Sequence, residues 1–217
     1  MEGAIKMNSP IKTLFSLTVL LCATTAQAAE VTFSNVFVGG SLATGATFST
    51  TMDGIDFTLP NARVSDDPHA APLGNVTIGY VADSTEPMTG DQLMLDSLDL
   101  AGSGTVLFHE TIIDIQDAFN PVLLASFEAV LNGPFAGPLN ANLDFSGNPT
   151  TRIFVIKSIA LTSFDFNMSA PDFAAIASVQ QSFQFIPEPA TILLFVSGMA
   201  LLLYLESRRN GKSAPRA

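Results

Sequence analysis

Carboxylates are the only plentiful reactive groups in this 217-residue chain, which has 20 Asp and Glu but two His and one Cys. A pair of carboxyl groups at a suitable separation could hydrolyse a glycosidic bond by acid–base or nucleophilic chemistry. No spacing singles out two of them here, and the absence of Trp removes the usual stacking platform for a sugar. Acidic clusters could also hold calcium through oxygen ligands. Asp66-Asp67 is one candidate, and the series Asp91, Asp96, Asp99 is another. Neither follows the twelve-residue loop pattern that places calcium ligands at regular positions. No metal ligand is assigned, no resident cofactor is expected, and calcium is the one ion worth testing.

The two histidines, His69 and His109, offer little more. His109 adjoins Glu110, and neighbours on a strand point to opposite faces, so the two cannot act on one substrate. Gly102 and Gly104 lack the following helix and further glycine of a dinucleotide loop and read as a turn. Cys22 lies in an N-terminal apolar stretch, after Leu21 rather than the small residue a lipidation site would want. The rest of the chain therefore has no disulfide, thiolate metal site or cysteine nucleophile. No catalytic residue is assigned, and the chain reads as a non-enzyme.

The elements that would position these groups are strands. Ile55, Phe57 and Leu59 alternate with Asp56 and Thr58, and Val76, Ile78 and Tyr80 with Thr77 and Gly79. Leu139, Ala141, Leu143 and Phe145 alternate with Asn140, Asn142 and Asp144. Near the end, Phe173, Ala175, Ala177, Val179, Phe183 and Phe185 fall on one face, with Ser178, Gln180, Ser182 and Gln184 on the other. Period two gives each strand one buried and one wet face, as antiparallel sheets permit. Val31–Val38, Thr105–Gln116 and Arg152–Asn167 are further strands; in the last, the apolar register shifts between Leu161 and Phe164, as at a bulge or a crossing between sheets. Val122–Leu131 carries both helix-end signals and clean alternation, and alternation is preferred. Gly, Pro and Asn punctuate these runs at Gly39-Gly40, Asp66-Asp67-Pro68, Glu86-Pro87, Gly102-Ser103-Gly104, Asn132-Gly133-Pro134 and Gly147-Asn148-Pro149. The expectation is an all-β fold, a single β-sandwich or jelly roll with a phenylalanine-rich core.

That domain is placed at residues 29–186. It holds 17 acidic residues against Arg63, Arg152 and Lys157, a net charge near −14. Such a surface repels nucleic acid and anionic lipid. Before it, Lys6 and Lys12, the apolar run Leu14–Ala23 and the small-x-small step Ala26-Gln27-Ala28 read as a signal peptide over residues 1–28, cut by signal peptidase. The true start could be Met1 or Met7.

After the domain comes Pro187-Glu188-Pro189-Ala190-Thr191, whose two prolines favour an extended backbone and remove two donors, so a strand must stop there. Residues 190–205 carry no charge. As a transmembrane helix they would rise roughly 24 Å at ~1.5 Å per residue, short of a hydrocarbon core of about 30 Å. Arg208, Arg209 and the basic tail at 210–217 would stay cytoplasmic, leaving the domain outside.

The run Pro187-Glu188-Pro189, a short apolar span and the Arg208-Arg209 pair resemble the PEP-CTERM sorting signal of Gram-negative bacteria. The span has one glycine, Gly198, where the family favours several, and eight residues follow Arg209, where members tend to end sooner. The resemblance implies processing by an exosortase, a host that makes exopolysaccharide, and delivery to the cell surface or extracellular matrix of a biofilm. Three readings follow. The first is a non-enzymatic surface or matrix protein associated with exopolysaccharide; the alternative is a carbohydrate- or calcium-binding module on the same fold. A secreted hydrolase ranks behind both, because it needs convergent carboxylates in a cleft.

Overall fold

The computed structural model describes residues 29–67, 69–164, 172–186 and 198–203. Ala26, Ala28, Pro187, Glu188, Pro189, Arg208 and Arg209 lie outside the described residues. Residues 198–203, within the span expected to be helical, form a helical turn and a half with Met199 and Leu201 to Leu203 exposed. Among the described residues no helix is long and apolar enough to cross a membrane.

Residues 29–186 form one compact unit, whose described residues hold eleven strands: β1 Val31–Gly39, β2 Thr47–Thr50, β3 Gly54–Thr58, β4 Arg63–Ser65, β5 Leu73–Ala101, β6 Thr105–Asp114, β7 Val122–Asn132, β8 Phe135–Asp144, β9 Thr150–Thr162, β10 Phe173–Ala175 and β11 Ser178–Phe185. Every pairing is antiparallel. The all-β expectation holds, and residues 122–131 are strand, as the alternation of Ala125, Phe127 and Leu131 required.

β5 organises the rest. Its first half, Leu73 to Asp83, lies between β1 and β9, and β9 continues to β6 and then β7. Its second half, Met88 to Ala101, lies between β11 and β8, and β11 continues to β3 and β2. Between the halves the ladder to β9 skips from Asp83 to Met88. Pro87, which has no N–H to give a ladder, sits at that skip. Glu86-Pro87 is thus the bend of a continuous strand, where the sequence suggested a turn between strands.

The two halves of the sheet pack face to face as a sandwich. The rings of Phe57 and Tyr80 stack across the layers with centroids 5.8 Å apart, and Phe33 meets Phe183 at 6.2 Å. Val76, Ile78, Val106, Phe108, Ile112, Val155, Ile159 and Leu161 from the first layer are buried against Ile55, Phe57, Leu93, Leu95 and Val179 from the second. Each fully buried aliphatic or Phe side chain contributes roughly 1.5–3 kcal/mol. On the outside of the first layer, Gly79 makes room for the Phe37 ring, since a Cβ there would lie 2.2 Å from it.

Two expectations about register need correction. β9 ends at Thr162, so the shift after Leu161 marks a strand end; the strand that passes between layers is β5. Nor do residues 173–185 form one strand with one apolar face. Ala174 and Ile176 are buried, then Val179 and Phe183, because the break at Ile176-Ala177 between β10 and β11 resets the parity.

Candidate functional site

The outer face of the second layer carries rows of mainly polar side chains, amides and hydroxyls with Asp56 and Asp96 among them. Cross-strand register aligns Ser49, Asp56, Gln180, Met94 and Asn140 in one row through β2, β3, β11, β5 and β8. The next row aligns Gly54, Ser182, Gln92 and Asn142, and a third aligns Thr47, Thr58, Ser178 and Asp96. The physical cause is the pleat: inward neighbours such as Ile55, Val179 and Leu93 send these residues out. Adjacent strands lie ~4.8 Å apart and rows repeat at roughly 7 Å, so the amides form a grid. A shallow depression of about 320 Å³ lies over it, lined by Thr51, Asp56, Gln92, Met94, Asn140 and Gln180 among others. Among the described residues, the side-chain amides of Gln92, Asn140, Asn142 and Gln180 make no hydrogen bond within the protein. Their donors and acceptors face outward.

A second constellation is enclosed between the layers. Tyr80, Glu110 and Lys157 come from the first layer and Asp91 and Gln181 from the second, and all five are buried. Lys157 Nζ donates to Glu110 Oε1, with which it also forms an ion pair. Gln181 Nε2 donates to Asp91 Oδ2 at 2.5 Å and to Glu110 Oε1 at 3.0 Å. Tyr80 Oη donates to Gln181 Oε1. Asp91 Oδ1 and Glu110 Oε2 are buried without a hydrogen-bond partner. Burial, and then the nearby Glu110, push the Asp91 carboxyl up to about 8, while Lys157 and the Gln181 bond oppose the rise. Both upward effects favour the protonated, uncharged form of Asp91. Burial and the two carboxyls likewise raise the Tyr80 hydroxyl well above its ordinary value.

The sequence candidates scatter. Asp91 points into the core, whereas Asp96 accepts a hydrogen bond from the Ser97 N–H on the outer side and Asp99 is exposed. The series thus cannot gather round one calcium ion. Asp67 Oδ1 accepts from the His69 N–H at 2.9 Å, which closes a turn. Among the described residues no three His, Cys, Asp or Glu could hold a metal ion. His109 is exposed and Glu110 buried, so they do face apart. The sequence missed one convergence, since Asp91 and Glu110 meet at the Gln181 amide. They are closed off inside the sandwich, where no polymer reaches them. A signal was available: Glu110 interrupts the inward run Val106, Phe108, Ile112; Lys157 interrupts Ile153, Val155, Ile159; and Gln181 interrupts Val179, Phe183.

No protein-family model matches the chain, and no curated protein matches it. Solved structures do. TmCBM61, in complex with beta-1,4-galactotriose, is 11% identical with a TM-score of 0.38, covering 70% of this chain and 90% of that one. The enzymatically active domain of tailspike protein 4 from bacteriophage CBA120 is 16% identical with a TM-score of 0.34, covering 72% of this chain and 19% of that one. A chain from work on carbohydrate-binding modules of the β-sandwich superfamily is 9% identical with a TM-score of 0.33, covering 75% of this chain and 58% of that one. At these scores the likeness decides nothing about fold, ligand or activity.

Proposed function

We propose that the domain is a polysaccharide-binding module displayed at the cell surface, and that neutral sugars lie across the amide grid of the second layer. The observation that carries this reading is the set of unbonded, outward amides of Gln92, Asn140, Asn142 and Gln180. An amide offers two donors and an acceptor side by side, which matches the mixed donor–acceptor character of sugar hydroxyls. The grid holds no aromatic ring and no cation, so binding rests on hydrogen bonds that each contribute about 0.5–1.5 kcal/mol net. A few of them correspond to a Kd of roughly millimolar or somewhat tighter.

Export and display rest on the tail. The signal peptide, the exosortase-processed Pro187-Glu188-Pro189 step and the Arg208-Arg209 flank would hold the chain at the inner membrane and then release it to the surface or matrix. The test is affinity electrophoresis through gels containing neutral or acidic polysaccharides. The native protein should be retarded by a neutral polymer at both low and high salt. Changing Gln92, Asn140 and Gln180 together to Ala should abolish retardation with an unchanged Tm. Equal retardation of the triple variant, or retention only on charged polymer at low salt, would overturn the reading.

A further inference from the structure

The enclosed cluster has no part in surface binding. Burying ions is costly, and apolar residues of similar volume usually serve stability as well or better. Here a lysine and two carboxyl side chains share one enclosed cluster, Lys157 touching Glu110 and the Gln181 amide joining Glu110 to Asp91. Gln181 Nε2 links Glu110 Oε1 and Asp91 Oδ2, Tyr80 steadies the Gln181 amide, and Lys157 Nζ rests against Glu110.

We propose that Lys157 condenses with Asp91 to form an amide bond, with Glu110 as the proton-transfer group, so that β9 of one layer is joined covalently to β5 in the other. Glu110 takes a proton from the Lys157 ammonium. The free amine attacks Asp91 Cγ, the Nζ–Cγ bond forms, and the Cγ–OH bond breaks. The departing hydroxyl leaves as water with a second amine proton, relayed through Glu110. The ammonium, carboxylate and acid become an amide, a neutral Glu110 and one water. No oxidant or other reactant is needed.

Asp91 is the acceptor because Lys157 Nζ already rests on Glu110 Oε1, which leaves Glu110 to take its proton, while the Gln181 amide holds Asp91 beside that same oxygen. The unpartnered Asp91 Oδ1 and Glu110 Oε2 are the oxygens on which the moving protons can reside. Amide formation is uphill in water, but positioned groups reach effective concentrations of about 10⁵–10⁸ M. A dry site also loses the product water and is relieved of its buried ions.

The test is peptide mapping of the full native chain after denaturation and chymotrypsin digestion. The expected result is a branched peptide joining the segments of Lys157 and Asp91, lighter by one water than their sum. Unmodified Lys157 and Asp91 peptides at full yield would overturn the proposal, and this reading needs no variant to fold. Glu110→Gln keeps the side-chain shape without a proton acceptor and should lower the linked fraction at least tenfold, within the range of about 10²–10⁴ for proton-transfer groups. Wild-type linkage in that variant would remove Glu110 from the mechanism. A branch mapped to Glu110 would remove Asp91.

Discussion

Single side chains inside the sandwich carry the sharpest electrostatics. Among the described residues, Lys157 is the cation paired with Glu110 and acting on Asp91, with Gln181 and Tyr80 completing the cluster. Lys157→Met removes it and leaves two buried carboxyls, a change that costs about 3–5 kcal/mol. At roughly 2–4 °C per kcal/mol for a domain of this size, the melting temperature should drop accordingly. The same variant has a defined pH response. Asp91 is already pushed up to about 8, and losing the lysine removes a positive charge that lowers it. The unfolded chain releases this proton near the ordinary value of about 3.9. The folded chain thus holds a proton that the unfolded one lacks, and the stabilisation is complete below about 4 and lost as pH rises through 8 and beyond. Thermal melts of Lys157→Met at pH 5, 7 and 9 should show Tm falling with pH. A flat profile would mean that Asp91 is not held as an acid.

Strands meet closely where glycine allows it. Gly54 on β3 lies against β11, where a Cβ would sit 2.3 Å from the Gln181 carbonyl oxygen. A backbone atom cannot swing aside as a long side chain can. Gly54→Ala should therefore push β3 from β11 and destabilise by about 1–3 kcal/mol. The matched control is Gly147→Ala, since a Cβ at Gly147 meets nothing within 4 Å. It should stay within about 0.5 kcal/mol of the native chain. Chemical denaturation of both variants checks the pair, and equal stabilities would show that the β3–β11 contact is slack. Strand pairing at Gln181 matters beyond β11, because its side chain orders the enclosed cluster.

At the scale of the whole molecule, charge and address belong together. The domain carries a net charge near −14 and the basic residues follow position 207; in the proposed reading the first disfavours nucleic acid and the second would hold the tail on the cytoplasmic side. Processing at the Pro-Glu-Pro step should be separable from folding. Glu188→Ala is expected to leave the Tm of the domain unchanged and to block removal of the tail, read as retention of the 190–217 segment by mass spectrometry of the C-terminus. Normal tail removal in that variant would exclude Glu188 from recognition.

The all-β class and the facing of most strands were legible by themselves, because a sheet with one dry face imposes period two on its residues. Ile55, Phe57, Val76, Ile78 and Tyr80 are inside as their alternation required. The acidic balance, the lack of cysteine after Cys22 and the Pro187-Glu188-Pro189 step followed by an uncharged run and two arginines are also properties of the sequence alone. Parity, however, says only inside or outside within one strand. It does not say which strands are neighbours, and it cannot see that β5 bends at Pro87 to serve both layers. For that reason the meeting of Tyr80, Asp91, Glu110, Lys157 and Gln181, residues up to 101 positions apart, was decided by tertiary structure. The same holds for the amide grid, which exists only because register places Gln180 beside Met94 and Asn140 in a single row.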